Sequence, residues 1–301
     1  MEVQRFELAA MATFPSKVEW DASAADLVST MLARWNLTPG EAFTGGEAGA
    51  AIAVRTASGD DAVLKVGFPH AEAVAEALGL ACWSPLLAPR VLRQDVWTWA
   101  LLLERVEPGI PLSRAPLATP EALESAAQLL ARLHGTRAPA GVPSITDIVG
   151  DWLTNAQAGS RLDIPSADRD RVYSALTDAR MLLDGDQGRA FLHGDANPGN
   201  ILWDEPASVW KAIDPKPMIG DPEFDVHPLI EQTGGTATDA RVLEQRMVSV
   251  VRELELDADK TLRWCIARCG LTVVWAGDDR DVLALRTARR QLAAWNEISG
   301  A

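Results

Sequence analysis

Phe191-Leu-His-Gly-Asp195-Ala-Asn-Pro-Gly-Asn200-Ile-Leu-Trp203 is the stretch on which the fold turns. An apolar run enters a His-Gly-Asp turn, a Pro-Gly pair keeps the chain irregular, and a second apolar run follows at once. Further on, Trp210-Lys-Ala-Ile-Asp214 is a third apolar run that ends on an acid. Short apolar runs bounded by Gly, Pro, Asn and Asp read as strands, here 190–193, 200–204 and 210–214. The turn at Asp204 to Ser208 predicts a hairpin between the last two. That pairing sets Asn200, at the start of one strand, beside Asp214, at the end of its partner.

Upstream, Trp20-Asp-Ala-Ser-Ala-Ala-Asp26 reads as a helix start, with Ser23 as cap and Asp26 closing a capping box. Leu27, Met31 and Trp35 continue at helical spacing, and Pro39-Gly40 ends the pattern. Ala50 to Thr56 and Ala62 to Val66 read as strands around the Ser58-Gly59-Asp60-Asp61 turn, in a hairpin beginning near Phe43. An Ala-rich helix is expected over His70 to Trp83, then strands over Val91 to Asp95 and Trp97 to Leu103. Glu104-Arg-Val-Glu-Pro-Gly109 breaks the pattern, and helices dominate after it. Pro120 to His134 follows Thr119 as cap and closes on Gly135. Arg169 to Leu183, Asp239 to Leu254, Ala258 to Trp275 and Asp279 to Ile298 complete the helical set. The expected class is α+β and bilobal: a β-rich N-terminal lobe over 1–103, a hinge at 104–109 and a mainly helical C-terminal lobe over 110–301.

Three oxygen-bearing side chains in this order suit phosphoryl transfer. One carboxylate must orient a hydroxyl and accept its proton, and two oxygen ligands must hold Mg²⁺ against phosphates. Asp195 fits the first role, and Asn200 and Asp214 the second. The Asp-x-x-x-x-Asn spacing equals that of a protein-kinase catalytic loop. Each residue alone is ordinary turn or cap chemistry; the set, flanked throughout by strands, is not.

Ala62-Val-Leu-Lys65-Val66 puts a lysine inside an apolar strand, where an unpaired ammonium is costly. Phosphates of a nucleotide, or Glu72 or Glu76 in the following helix, would answer it. Thr44-Gly-Gly-Glu-Ala-Gly49 could bring backbone N–H groups near phosphate, although Gly-Lys-Ser/Thr is absent and it is no P-loop.

Composition narrows the partners. The balance of 28 basic and 42 acidic residues gives −14, which repels nucleic acid and attracts cationic small molecules. Apolar residues at 48% supply a sizeable core. Three cysteines, Cys82, Cys265 and Cys269, without framework spacing read as reduced, buried thiols. Neither a signal peptide nor a membrane span is evident, so a cytoplasmic protein is expected.

These strings resemble the aminoglycoside phosphotransferase superfamily, and within it the streptomycin 6-phosphotransferase and hydroxyurea kinase group. The resemblance is carried by Gly45-Gly-Glu-Ala48, Ala62-Val-Leu-Lys65-Val66, Ala75-Glu-Ala-Leu-Gly-Leu-Ala-Cys-Trp83 and Leu101-Leu-Leu-Glu-Arg-Val-Glu-Pro-Gly109. His193-Gly-Asp195 with Asn200, Ala212-Ile-Asp-Pro-Lys-Pro217 and Gly220-Asp-Pro-Glu-Phe-Asp225 add to it. It implies a protein-kinase-like fold, ATP and Mg²⁺, and a hydroxyl acceptor. It assigns Lys65 to the α/β-phosphates with Glu76 as ion-pair partner, and the Glu104, Arg105 and Val106 backbone to adenine. Asp195 becomes the catalytic base, with Asn200 and Asp214 as metal ligands. Asn197 departs from the His usual before that Pro-Gly. Asp221 is expected to support the loop, Asp225 to cap the next segment, His193 to brace the turn and His134 to serve the end of its helix. For a small hydroxylated acceptor carrying positive charge, Asp147, Asp151, Glu223, Glu231, Asp278, Asp279 and the Trp275 face are candidate contacts.

Overall fold

The computed structural model describes residues 16–43, 49–70, 73, 75–159, 163–185 and 188–300. The Gly-rich stretch at 44–48 and Glu72 lie outside the described residues. Helix α1 (Lys17–Trp35) opens the described chain, earlier than the Ser23 cap predicts. Ser16 and Glu19 form the capping box instead, and Asn36 in the left-handed conformation ends the helix before Pro39-Gly40.

Strands β1 (Thr38–Phe43), β2 (Gly49–Arg55), β3 (Asp61–Gly67), β4 (Val91–Asp95) and β5 (Ala100–Glu104) form an antiparallel sheet ordered β1-β2-β3-β5-β4. Alternation along β3 decides its two faces. Ala62, Leu64 and Val66 join Ala100 and Leu102 in a core beneath α1, with Trp20, Val28 and Met31. Burying each of the larger of these side chains contributes about 1.5–3 kcal/mol. Lys65, out of phase with them, points to the opposite face. There it meets α2 (Glu76–Cys82), which is shorter than the predicted His70 to Trp83 helix. Leu101 and Leu103, also on that face, belong to the larger core with Leu80 and Trp83.

After β5 come β6 (Pro108–Pro111), α3 (Thr119–His134), α4 (Ile145–Gly159) and α5 (Ser166–Asp184). Thr119 is the first helical residue of α3 rather than its cap, and the Glu121 carboxylate takes the Ala118 N–H at 3.3 Å. Strands β7 (Ala190–Leu192), β8 (Ile201–Asp204), β9 (Val209–Ala212) and β10 (Met218–Gly220) follow. Then come α6 (Pro222–Asp225), α7 (His227–Gln232), α8 (Ala240–Leu254), α9 (Ala258–Asp278) and α10 (Val282–Ser299). Two small sheets, β10-β7 and β6-β8-β9, sit within this helical part. Cys265 and Cys269 are buried and free; Cys82 is free and only partly covered, against the expectation of burial. Among the described residues, no helix is long and apolar enough to cross a membrane.

Candidate active site

Strand pairing brings the predicted residues together. Strand β7 pairs with β10, with Leu192 opposite Met218, and β8 pairs with β9, with Ile201 opposite Ala212. The connection 193–200 runs from β7 to β8, and 213–217 runs from β9 to β10. Two connections between the same two pairs must lie side by side. Asp195 and Asn200 are on the first, and Asp214 and Lys216 on the second.

Backbone bonds fasten the two connections. Ile213 N–H donates to the Asn200 carbonyl at 2.9 Å, and Lys216 N–H donates to the His193 carbonyl at 2.8 Å. His193 bridges them as well. Its Nε2 lies 3.0 Å from the Ile213 carbonyl, and its Nδ1 accepts the Asp195 N–H at 3.2 Å, which assigns the proton to Nε2. His193 therefore braces the turn, as expected. The Asn200 amide nitrogen donates to the Asp195 carbonyl at 3.0 Å, so the amide oxygen is its acceptor end. The Asn197 amide nitrogen donates to the Asp195 carboxylate at 3.2 Å, and its oxygen accepts the Gly199 N–H at 2.9 Å. Asn197 thus shapes the turn where the family pattern has His.

Asp225 differs from expectation. Fully buried, it does not cap the next segment but accepts the His193 and Gly194 N–H groups, both at 2.7 Å, and His134 Nε2 at 3.0 Å. Burial opposes its charge, yet the His134 bond and the His193 contacts outweigh that and hold its carboxyl below the usual range. Behind it, the Arg268 guanidinium stacks over Phe224 at 4.2 Å and donates to the Phe224 carbonyl at 3.0 Å. Asp221, also buried, accepts Lys260 Nζ at 2.7 Å and Trp264 Nε1 at 2.8 Å, tying α9 to the chain just after β10. Local pattern singles out Asp225 but not its role, and it does not single out Arg268, because the partners of both lie far along the chain.

From the sheet above, Lys65 reaches this site. Its Nζ is 2.6 Å from Glu76 and 2.5 Å from Asp214, so Lys65 pairs with both carboxylates. Burial disfavours the ammonium, but the two carboxylates outweigh it and raise the Lys65 pKa. The Asp214 carboxyl is lowered despite burial, chiefly by Lys65. Glu76, more enclosed, is raised by burial beyond what Lys65 offsets. Helix α2 also touches the second connection: a Cβ on Gly79 would come within 2.8 Å of Pro217. Trp83, which follows that helix, stacks on Phe191 at 4.7 Å and on His193 at 6.2 Å.

At Glu104 the sheet ends. Its N–H donates to the Arg90 carbonyl at 2.9 Å, and its carboxylate lies 3.3 Å from the Arg90 guanidinium. Arg105 pairs with Glu107 at 2.7 Å and Val106 is buried. Of the acceptor candidates, Glu223 and Glu231 are corrected. Both are buried, and Glu231 accepts Trp295 Nε1 at 2.9 Å, so they serve packing and not an open wall. Asp147, Asp151, Asp278 and Asp279 are exposed, although Asp147 caps α4 by accepting from Ser144. Trp275, 38% exposed, meets Trp152 edge-on at 5.1 Å, and Trp152 lies 6.2 Å from Phe224. Aromatic rings thus lead from the surface of α4 and α9 to Arg268 behind the turn.

The donor set, one carboxylate oxygen and one amide oxygen, is of the hard kind that a divalent cation such as Mg²⁺ takes. Comparison with known proteins gives the family. The model of the aminoglycoside/hydroxyurea antibiotic resistance kinase family matches residues 34–280. A streptomycin 6-kinase of Streptomyces griseus is 31% identical over 264 residues, 86% of this chain and 85% of that protein. A hydroxyurea phosphotransferase of Kitasatospora aureofaciens is 30% identical over 257 residues, 85% and 74% of the two chains. A crystallised aminoglycoside phosphotransferase in complex with ADP and hygromycin B superimposes with TM-score 0.68 at 13% identity, covering 91% of this chain and 98% of that one. A choline kinase of Streptococcus pneumoniae gives 0.64 at 15% identity, covering 90% and 99%. At such identities these two structures speak for the protein-kinase-like fold.

Proposed function

This chain belongs to the aminoglycoside/hydroxyurea antibiotic resistance kinase family, and from that premise we propose that Asp195 is the base of an ATP-dependent transfer to a hydroxyl of a streptomycin-like aminoglycoside. The reaction class is that of the family: a phosphotransferase acting on a small molecule. The observation that carries the residue roles is the convergence of Asp195, Asn200, Asp214 and Lys65 where the two connections meet β3 and α2. Asp195, tied through Asn197 and His193, presents a partly open carboxylate to the acceptor hydroxyl and takes its proton. Asn200 and Asp214 would hold Mg²⁺, which would supply positive charge against the negative charge of the transferring group. Lys65, kept cationic by Glu76, serves the α/β-phosphates. The backbone at Glu104 to Val106 supplies the adenine contacts. Because the Glu104 N–H is engaged by Arg90, the Glu104 carbonyl and the Val106 N–H are assigned to the base.

For the acceptor, the net charge of −14 favours a cation, and the exposed Asp151, Asp278 and Asp279 beside Trp275 suit guanidinium groups. A second reading, a hydroxyurea-type acceptor, is favoured by the similarity to the hydroxyurea phosphotransferase, nearly equal to that of the streptomycin kinase. ATP consumption with Mg²⁺ across aminoglycosides, amino sugars and hydroxyurea decides between them. Turnover should be highest with streptomycin-like compounds. Turnover confined to hydroxyurea would reverse the assignment, and none with any acceptor would leave a nucleotide-binding module.

A further inference from the structure

We infer that Lys216 is a further catalytic residue, a cation held beside Asp195 to carry the charge of the phosphoryl group in flight; the inference rests on the base role proposed for Asp195. Lys216 stands in Asp214-Pro-Lys216-Pro217, where two prolines restrict the backbone around it. Its main chain is clamped to the first connection. The N–H donates to the His193 carbonyl at 2.8 Å. On the other side, a Cβ on Gly194 would lie 2.0 Å from the Lys216 carbonyl oxygen. Gly194 also has φ +82°, so both conformation and space require glycine there. This clamp fixes where the lysine side chain starts.

The ammonium then lies 3.6 Å from Asp195 Oδ2, with the two side chains 33% and 30% exposed. Structural lysines in the same chain look different. Lys211 is 5% exposed and sits 2.5 Å from Asp204. Lys260 reaches the fully buried Asp221 at 2.7 Å. Lys216 meets a partly open carboxylate, the one proposed as base.

Reaction geometry places the moving group within reach. A hydroxyl bonded to Asp195 sits about 2.6–3.2 Å from it, and its oxygen starts about 3–3.5 Å from phosphorus. As the acceptor O–P bond forms, the bond from the γ-phosphorus to the bridging oxygen breaks and ADP leaves. The hydroxyl proton goes to Asp195, and Lys216 keeps its own protons throughout. In the transition state negative charge is spread over the three equatorial oxygens of a flattened group, so a cation fixed to meet those oxygens in that geometry stabilises the transition state more than the bound substrates.

Lys216→Met and Lys216→Arg, made in the full chain and assayed with Mg²⁺ and ATP, test this. Lys216→Met should lower kcat about 10²–10³-fold, with ATP affinity within about threefold, and Lys216→Arg should recover much of the loss. Both keep the main-chain clamp, so their melting temperatures should match the parent's. A readout independent of turnover is ADP affinity with Mg²⁺ and aluminium fluoride, a planar mimic of the transferring group. Fluoride should tighten ADP in the parent and in Lys216→Arg but not in Lys216→Met. An unchanged kcat in Lys216→Met, or a kcat loss with the fluoride gain intact, overturns the inference. If the parent turns over no acceptor, the base role of Asp195 fails separately, and the fluoride comparison still decides Lys216.

Discussion

Asp225 shows how a residue far from any substrate contact shapes the site. Its carboxylate satisfies the His193 and Gly194 N–H groups at 2.7 Å each, and no water reaches it at 0% exposure. Asp225→Asn replaces one acceptor oxygen by a donor facing those amides, at a cost of roughly 3–5 kcal/mol. Thermal unfolding should show a drop of several degrees, together with a loss of kcat larger than the loss of nucleotide affinity. A melting temperature within about 2 °C of the parent would contradict it. The sign with pH follows from the lowered carboxyl. Its stabilisation is complete above the unfolded carboxyl value near 4 and fades as pH falls through the lower folded value. Stability of the parent should therefore fall on that acid limb more steeply than that of Asp225→Asn. None of this was legible locally, since the partners lie 31, 32 and 91 residues away. Lys65 was legible because an ammonium in an apolar strand is anomalous wherever it occurs. Its choice of Glu76 over Glu72 came from the family resemblance, and the 2.6 Å contact agrees with it.

At the scale of elements, the clamp between the two connections depends on Gly194. Gly194→Ala forces a Cβ onto the Lys216 carbonyl and a methyl into a left-handed backbone. Activity should fall at least tenfold alongside lower thermal stability, from strain of about 1–3 kcal/mol; near-normal turnover would show the two connections to be loosely joined. The hairpins β2–β3 and β8–β9 were readable because turn residues separate clean apolar runs. The helices α3, α5, α8, α9 and α10 were readable from their periodicity. Helix α4 was passed over although Ile145, Ile148, Val149 and Leu153 recur at helical spacing and are buried. Strand β1 was hidden by its Pro39-Gly40 pair, a turn signal in most settings, and by residues exposed along its length. The Ser23/Asp26 cap misled because Ser16 and Glu19 offer the same spacing about two turns earlier.

Across the whole molecule, the β-rich part delivers Lys65, and the helical part delivers Asp195, Asn200 and Asp214, so the site exists only where the two meet. The contacts of Lys65 with Asp214 and of Trp83 with Phe191 join them directly. The stretch 104–109 does not stay irregular to its end. At Pro108 it enters β6, which pairs with β8 and so ties this crossing to the strand that follows Asn200. This convergence was foreseen in outline from the order of the motifs. The acceptor wall was not, because exposed acids and aromatics carry no spacing rule, and two of those named, Glu223 and Glu231, are buried. Single-turnover kinetics of Asp195→Asn with Mg²⁺, ATP and the best acceptor test the central claim most directly. Phosphoryl transfer should slow about 10²-fold or more while ATP affinity stays within about threefold of the parent's; transfer at a near-parental rate would show that the proton goes elsewhere.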